Sequence, residues 1–210
     1  QAERVERSLQ PGQVCLDGEP IDGMGRREIA RRLSVMRQAA PQVFGYSALE
    51  LVLMGFHAES GRFSLPSDAQ RQKALTAMSE LEIEHLADRP APVLSGGELQ
   101  RVLMARTMVA DTPVWLLDEP TSHLDMRHRV ALLGQLRGHL QSGGTVCAVL
   151  HDLSLVSRFF DDVLVLAPGG RSAAAVAVDD VLDAALLSDV FQVDIRRGEI
   201  DGQVVWVPVA

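Results

Sequence analysis

The 210-residue chain is short of several things, and each shortage removes a class of answer. It has a single lysine, Lys73, and no Gly-Lys pair, so no phosphate-cradling loop of the form Gly-x-x-x-x-Gly-Lys-Ser/Thr occurs in these residues. Lys73 stands in the polar stretch Gln70-Arg71-Gln72-Lys73-Ala74, with no glycine before it. There are only two cysteines, Cys15 and Cys147, each inside an apolar run. That excludes a disulfide framework or a cysteine-built metal site and predicts two small buried residues in a reducing compartment. No apolar run approaches the ~18 to 20 residues that cross a bilayer, and no basic-then-apolar leader opens the chain. Any work at a membrane is then expected of a peripheral subunit docked on another protein, with no span of its own. Basic charge is also scarce: 20 Lys and Arg stand against 28 Asp and Glu, a net charge of −8. Such a balance offers no electrostatic basis for sequence-independent nucleic-acid binding. The local cluster Arg26, Arg27, Arg31 and Arg32 reads as the solvated face of a short helix.

What is present is ordinary globular material, 47% apolar and 23% charged, enough for one sizeable domain or one domain with an inserted lobe. The first residues, to Ser8, read as the tail of a helix broken at Pro11-Gly12. A short strand over 13–16, a helix over Arg26–Arg32 and an extended run over 34–38 follow. From Ser47 to Ala110 the character is helical. An apolar patch ends at Gly55, a polar loop passes His57 and Gly61, and Ser67 or Asp68 caps a long helix. A further helix starts at Ser95-Gly96-Gly97. Residues 113–117 form a continuous apolar run of the kind buried on both faces of a parallel sheet. Helix over 126–140, strand over 145–150 and helix over 153–160 continue the alternation, which predicts right-handed crossovers and a parallel sheet. Strands over 163–166, 172–178 and 204–207 and a helical piece over 181–190 complete the expected elements.

Two motifs carry chemistry. In Val114-Trp115-Leu116-Leu117-Asp118-Glu119-Pro120 an apolar strand delivers two adjacent carboxylates at its C-terminal end, where open parallel sheets place their ligands. The first carboxylate suits a Mg²⁺ shell and the second reaches an attacking water. A solvated Asp-Glu at the end of any buried strand is the alternative. In Leu94-Ser95-Gly96-Gly97-Glu98-Leu99-Gln100-Arg101, Ser95 caps a helix whose first backbone N–H groups a phosphate can approach across two glycines. A plain N-cap with a flexible entry is the alternative there.

Taken together, these residues resemble the ATP-binding subunits of ABC transporters. Leu94 to Arg101 is similar to the ABC signature, and the strand ending in Asp118 and Glu119 follows at the family's interval as Walker B. Thr121-Ser122-His123-Leu124-Asp125 resembles the D-loop, His151 the switch histidine, and Gln38 the Q-loop glutamine, with Gln42 as a nearby competitor. The resemblance implies an α/β P-loop NTPase (RecA-like) core, residues 1–46 and 111–210, with a helical subdomain, 47–110, that carries the signature. It implies ATP and Mg²⁺ as ligands and a second ATPase subunit paired head to tail. Membrane permease subunits would be partners at the cytoplasmic face of the inner membrane. Carried over residue by residue, Ser95, Gly96, Gly97 and Glu98 would face the γ-phosphate held by the partner subunit, and Asp118 with Gln38 would serve Mg²⁺. Glu119 would polarise the water, His151 would hold the γ-phosphate, and Asp125 would connect the two sites.

The stretch from Tyr46 to Gly55, with Leu186-Leu187-Ser188-Asp189-Val190-Phe191 near the end, is similar to importers of iron chelates, haem and cobalamin. Importers of zinc or manganese are the neighbouring possibility. A non-transport ABC ATPase and a partner subunit without its own ATPase activity are further alternatives. The family pattern fails at one place, the lysine-bearing phosphate loop. Gln1 in place of an initiator methionine leads to the expectation of a piece of a longer subunit, natural loss of the loop being the alternative. As given, the chain is expected to bind Mg-ATP weakly or not at all.

Overall fold

A computed structural model describes residues 12–38, 45–58, 65–167, 171–178 and 182–209. The expected helix tail before Ser8, the break at Pro11, the competitor Gln42, the loop at Gly61 and the helical start at Val181 lie outside the described residues.

Three parallel strands position the site: β3 (Leu33–Met36), β4 (Val114–Asp118) and β5 (Thr145–Val149), in that spatial order. They pair in register, Val35 beside Leu116 and Leu116 beside Cys147, so the C-terminal ends of all three face one edge. Before them come a two-stranded ribbon, β1 (Cys15–Leu16) with β2 (Glu19–Pro20), and α1 (Arg26–Arg32). Arg27 and Arg31 both reach the carbonyl of Ala58, so two of the four clustered arginines tie α1 to the next segment instead of only facing water.

Helices α2 (Ala48–Leu53), α3 (Asp68–Glu80) and α4 (Gly96–Val109) start with the same device. In each a serine (Ser47, Ser67, Ser95) accepts from the N3 amide while the N3 Glu or Gln accepts from the serine amide. Losing such a cap costs about 0.5–2 kcal/mol, so the starts of all three helices are strongly specified. Their apolar faces (Leu49, Leu51 and Val52 on α2; Ala74, Ala77 and Met78 on α3; Val102 to Ala105 on α4) join Met36, Trp115, Leu117, Leu132 and Leu136 in one cluster. The helical segment and the sheet therefore share a continuous core. Gly55, in the turn just past α2, permits the close approach of that turn to α4, since a Cβ there would lie 2.4 Å from the Arg106 carbonyl oxygen.

Between β4 and β5 runs α5 (Met126–Gln141); after β5 come α6 (Leu153–Phe159), the antiparallel pair β6 (Asp162–Ala167) and β7 (Arg171–Ala177), and α7 (Ala184–Phe191). The hairpin β8 (Asp194–Ile200) and β9 (Gln203–Val209) ends the fold. A second cluster joins α6, β6, α7, β8 and β9 around Leu187, Val165 and Trp206, whose indole N–H donates to Ser157 Oγ at 2.8 Å.

Two expectations need correction. Residues 113–117 are not buried on both faces: Trp115 and Leu117 are buried, but Val114 and Leu116 only half so. Val35 and Val149 on the same face are more than half exposed, and no described element covers them. For the same reason Cys147 is exposed; Cys15, in the separate β1–β2 ribbon, is half-buried, so neither is fully buried, contrary to expectation, and both are free thiols. β8 went unanticipated because Arg196-Arg197-Gly198-Glu199 offers no apolar alternation; its register comes from pairing with β9.

Candidate active site

At the C-terminal edge of the sheet the backbone does something unusual. Glu119 leaves β4 with φ of +47°, in the left-handed region that costs an ordinary residue roughly 1–2 kcal/mol. His123, four residues on, is also left-handed, at +61°. Neither is glycine, so the surrounding contacts must hold the turn. The Glu119 amide donates to the Val149 carbonyl on the neighbouring strand at 3.2 Å. The Glu119 carbonyl accepts three times: from Ser122 N at 3.1 Å, Ser122 Oγ at 2.9 Å and Gln100 Nε2 at 2.9 Å.

That backbone sets the side chain where three strands end. Gln38, just past β3, donates from Nε2 to Glu119 Oε2 at 2.8 Å. His151, just past β5, meets Glu119 Oε1 through Nε2 at 2.7 Å. Both carboxylate oxygens are thus engaged, one by an amide and one by an imidazole. Asp118 stands beside them, its Oδ2 3.5 Å from the Gln38 backbone nitrogen. The Glu119 side chain is largely sheltered, whereas His151 is open to solvent, so the cluster is reachable from outside. An exposed Asp carboxylate and the amide oxygen of Gln38 are the hard oxygen donors that Mg²⁺ prefers. One or two protein oxygens are its usual share when phosphates supply others. The donor set fits that ion.

Ser95, Gly96, Gly97 and Glu98 are placed apart from this cluster, at the start of α4. The Glu98 carboxylate accepts from Ser95 N at 2.7 Å, and this bond, with the Ser95 hydroxyl, holds its pKa below the usual carboxylate range. The Gly96 and Gly97 amides belong to the first turn, whose donors have no intrahelical acceptor and point outward. Gly97 also packs on the D-loop-like turn, where a Cβ would fall 2.7 Å from the His123 carbonyl oxygen. A Cβ on Gly96 would only touch the His123 ring at 3.4 Å. Asp125 caps α5, accepting from His128 N at 3.0 Å, and this bond lowers its pKa.

The structure thus gathers Gln38, Asp118, Glu119 and His151 into one cluster and leaves Ser95 to Glu98 and Asp125 at two helix starts. Lys73 lies on the exposed face of α3. Sequence reasoning gave no role to Gln100, although it lies within the quoted motif. Its signal was an uncharged amide flanked by Leu99, Val102 and Leu103 on an apolar helix, a position where a buried polar group must find a partner. It is 4% exposed. Arg101 was likewise passed over; it is buried and donates to the Leu81 carbonyl at 3.0 Å, anchoring α4 to the end of α3.

The parallel sheet with an acidic pair at its strand ends is that of the P-loop NTPase fold found in the solved structures to which the chain is similar. The chain superposes with a TM-score of 0.74 and 27% identity on a transporter described as of the metal-chelate ABC type in an inward-facing conformation, covering 85% of this chain and 72% of that one. The model of the ABC transporter family matches residues 4–122, and on that ground, with the relatives below, the chain belongs to the ABC transporter family as an ATP-binding subunit with ABC-type ATPase character. It is 37% identical over 201 residues to the hemin import ATP-binding protein HmuV of Nocardia farcinica, covering 94% of this chain and 68% of that protein. It is also 37% identical over 194 residues to the achromobactin transport ATP-binding protein CbrD of Dickeya dadantii, covering 90% of this chain and 71% of that protein.

Proposed function

We propose that this chain couples ATP hydrolysis to uptake of a haem or iron-chelate substrate, with Glu119 as the hydrolytic carboxylate. One observation carries the assignment: both oxygens of Glu119 are held by groups from the two flanking strands, Gln38 and His151. A carboxylate so fixed at the ligand-binding edge of a parallel sheet accepts a proton from a water in line with a phosphate. His151, whose Nε2 meets Glu119 here, would turn from that contact to donate to a phosphate oxygen, and its exposed ring leaves room for one. Asp118 and Gln38 would hold Mg²⁺, which neutralises phosphate charge when bound. The relatives favour haem and siderophore cargo over zinc or manganese, because their names specify hemin and achromobactin.

The start of α4 serves a different nucleotide from the one beside Glu119. Ser95 and Gly96 are exposed, and the first-turn amides offer an anion site at the positive end of a 14-residue helix. In a head-to-tail pair these groups meet the phosphate held by the second ATPase subunit, and the helical segment 47–110 acts as the lobe that presents them. No helix among the described residues is long and apolar enough to cross a membrane. Likeness to import ATP-binding proteins supports placing the subunit at the cytoplasmic face of the inner membrane, with permease partners.

Affinity purification of the tagged chain from detergent-solubilised membranes tests this reading. Recovery of a multi-span permease that takes up haem or an iron chelate supports it. Recovery of ribosomes or nucleic acid, with no membrane protein, overturns it.

A further inference from the structure

Gln100 lies in none of the roles above, yet among the described residues it is the one group outside the Glu119–His123 turn whose side chain is seen to hold that turn's backbone. It sits on α4, 4% exposed, and donates from Nε2 to the Glu119 carbonyl at 2.9 Å. The other donors to that oxygen, the amide and hydroxyl of Ser122, belong to the turn itself and move with it. A non-glycine residue at φ of +47° keeps that conformation only while its surroundings over-determine it. Rotating the Glu119 peptide out of the left-handed region swings its Cα–Cβ bond, and with it the carboxylate that meets Gln38 and His151.

We propose that Gln100 is a positioning residue for Glu119, fixing the left-handed peptide from the signature helix so that the carboxylate stays between Gln38 and His151. The proposal rests on the reading of Glu119 as the hydrolytic carboxylate. A buried glutamine serving only to fill space would be replaceable by methionine, which has nearly the same shape and no donor. Because Ser122 still satisfies the carbonyl, Gln100→Met creates no orphaned acceptor, and its effect isolates the positioning bond.

The test is imidazole NMR of the full 210-residue chain at one fixed neutral pH, with the His151 signal assigned by its loss in His151→Gln. Glu119→Gln replaces the partner of His151 Nε2 and sets the reference displacement. Gln100→Met is expected to move the His151 signal in the same direction by at least about half as much, while the His139 signal stays in place. Gln100→Glu, which sets a carboxylate against the carbonyl, gives a second reading should the methionine variant fold poorly. A His151 signal at its wild-type position in the folded Gln100 variants, with Glu119→Gln displacing it, overturns the positioning role and leaves the site intact. If Glu119→Gln does not move the signal, the Glu119–His151 pairing itself fails and the proposal falls with it.

Discussion

Adding one methyl group at Gly97 sets two known effects against each other. In a helix, alanine is favoured over glycine by about 0.8–1.0 kcal/mol, so propensity alone makes Gly97→Ala stabilising. The structure predicts the reverse. The new Cβ would fall 2.7 Å from the His123 carbonyl oxygen, a backbone atom on a turn fixed by the Glu119 hydrogen bonds, and 3.7 Å from Leu124 Cδ2. Overpacking of that kind costs about 1–3 kcal/mol, which leaves a net loss of up to about 2 kcal/mol. Gly134 supplies the internal control: it lies mid-helix on α5 with nothing within 4 Å of its built Cβ, so Gly134→Ala is expected to stabilise by about 1 kcal/mol. In a chain of this size 1 kcal/mol corresponds to roughly 2–4 °C in Tm, so the two variants should move in opposite directions by a readable amount. Urea unfolding at constant m-value and thermal melts give the same comparison. If Gly97→Ala proves as stabilising as Gly134→Ala, the turn yields freely and the argument that α4 holds it is wrong.

Two further outcomes are expected. Isothermal calorimetry of the 210-residue chain with Mg-ATP should show no binding tighter than about 1 µM, since Lys73 is its only lysine and lies on α3; a sub-micromolar Kd would mean that other residues cradle the phosphates. His139 stacks on Trp115 with ring centroids 3.8 Å apart, and burial pushes its pKa down from the usual histidine value, so the unfolded chain takes up a proton more readily there. That contribution to stability is complete above about pH 6.5 and is lost as pH falls towards the lowered folded value. Urea midpoints at pH 7.5 and 5.5 should therefore fall further apart for the wild type than for His139→Phe, and equal differences would exclude the effect.

Much of the fold was legible because local signals agreed. Ser47, Ser67 and Ser95 each stand three residues before Glu or Gln, and each became a helix start; Arg26–Arg32 and residues 153–160 came within a residue of their observed ends. The four residues that meet at the strand ends were legible only as spacing, since Gln38 and His151 are 81 and 32 residues from Glu119 and come together through the parallel register. What escaped was set by tertiary contact. Nothing local marks Gln100 as a donor to a backbone 19 residues away, or Cys147 as exposed in an otherwise apolar strand.

The signature helix touches the Glu119–His123 turn at two points three residues apart: Gly97 against the His123 carbonyl and Gln100 on the Glu119 carbonyl. One point would act as a pivot; two make a clamp that transmits both shift and rotation. In the head-to-tail pairing proposed above, a nucleotide arriving at one end of that helix is felt as torque on the hydrolytic carboxylate of the opposite site. Such a linkage inside each subunit would couple the two sites, so a variant that loosens the clamp should weaken both the placement of Glu119 and that coupling.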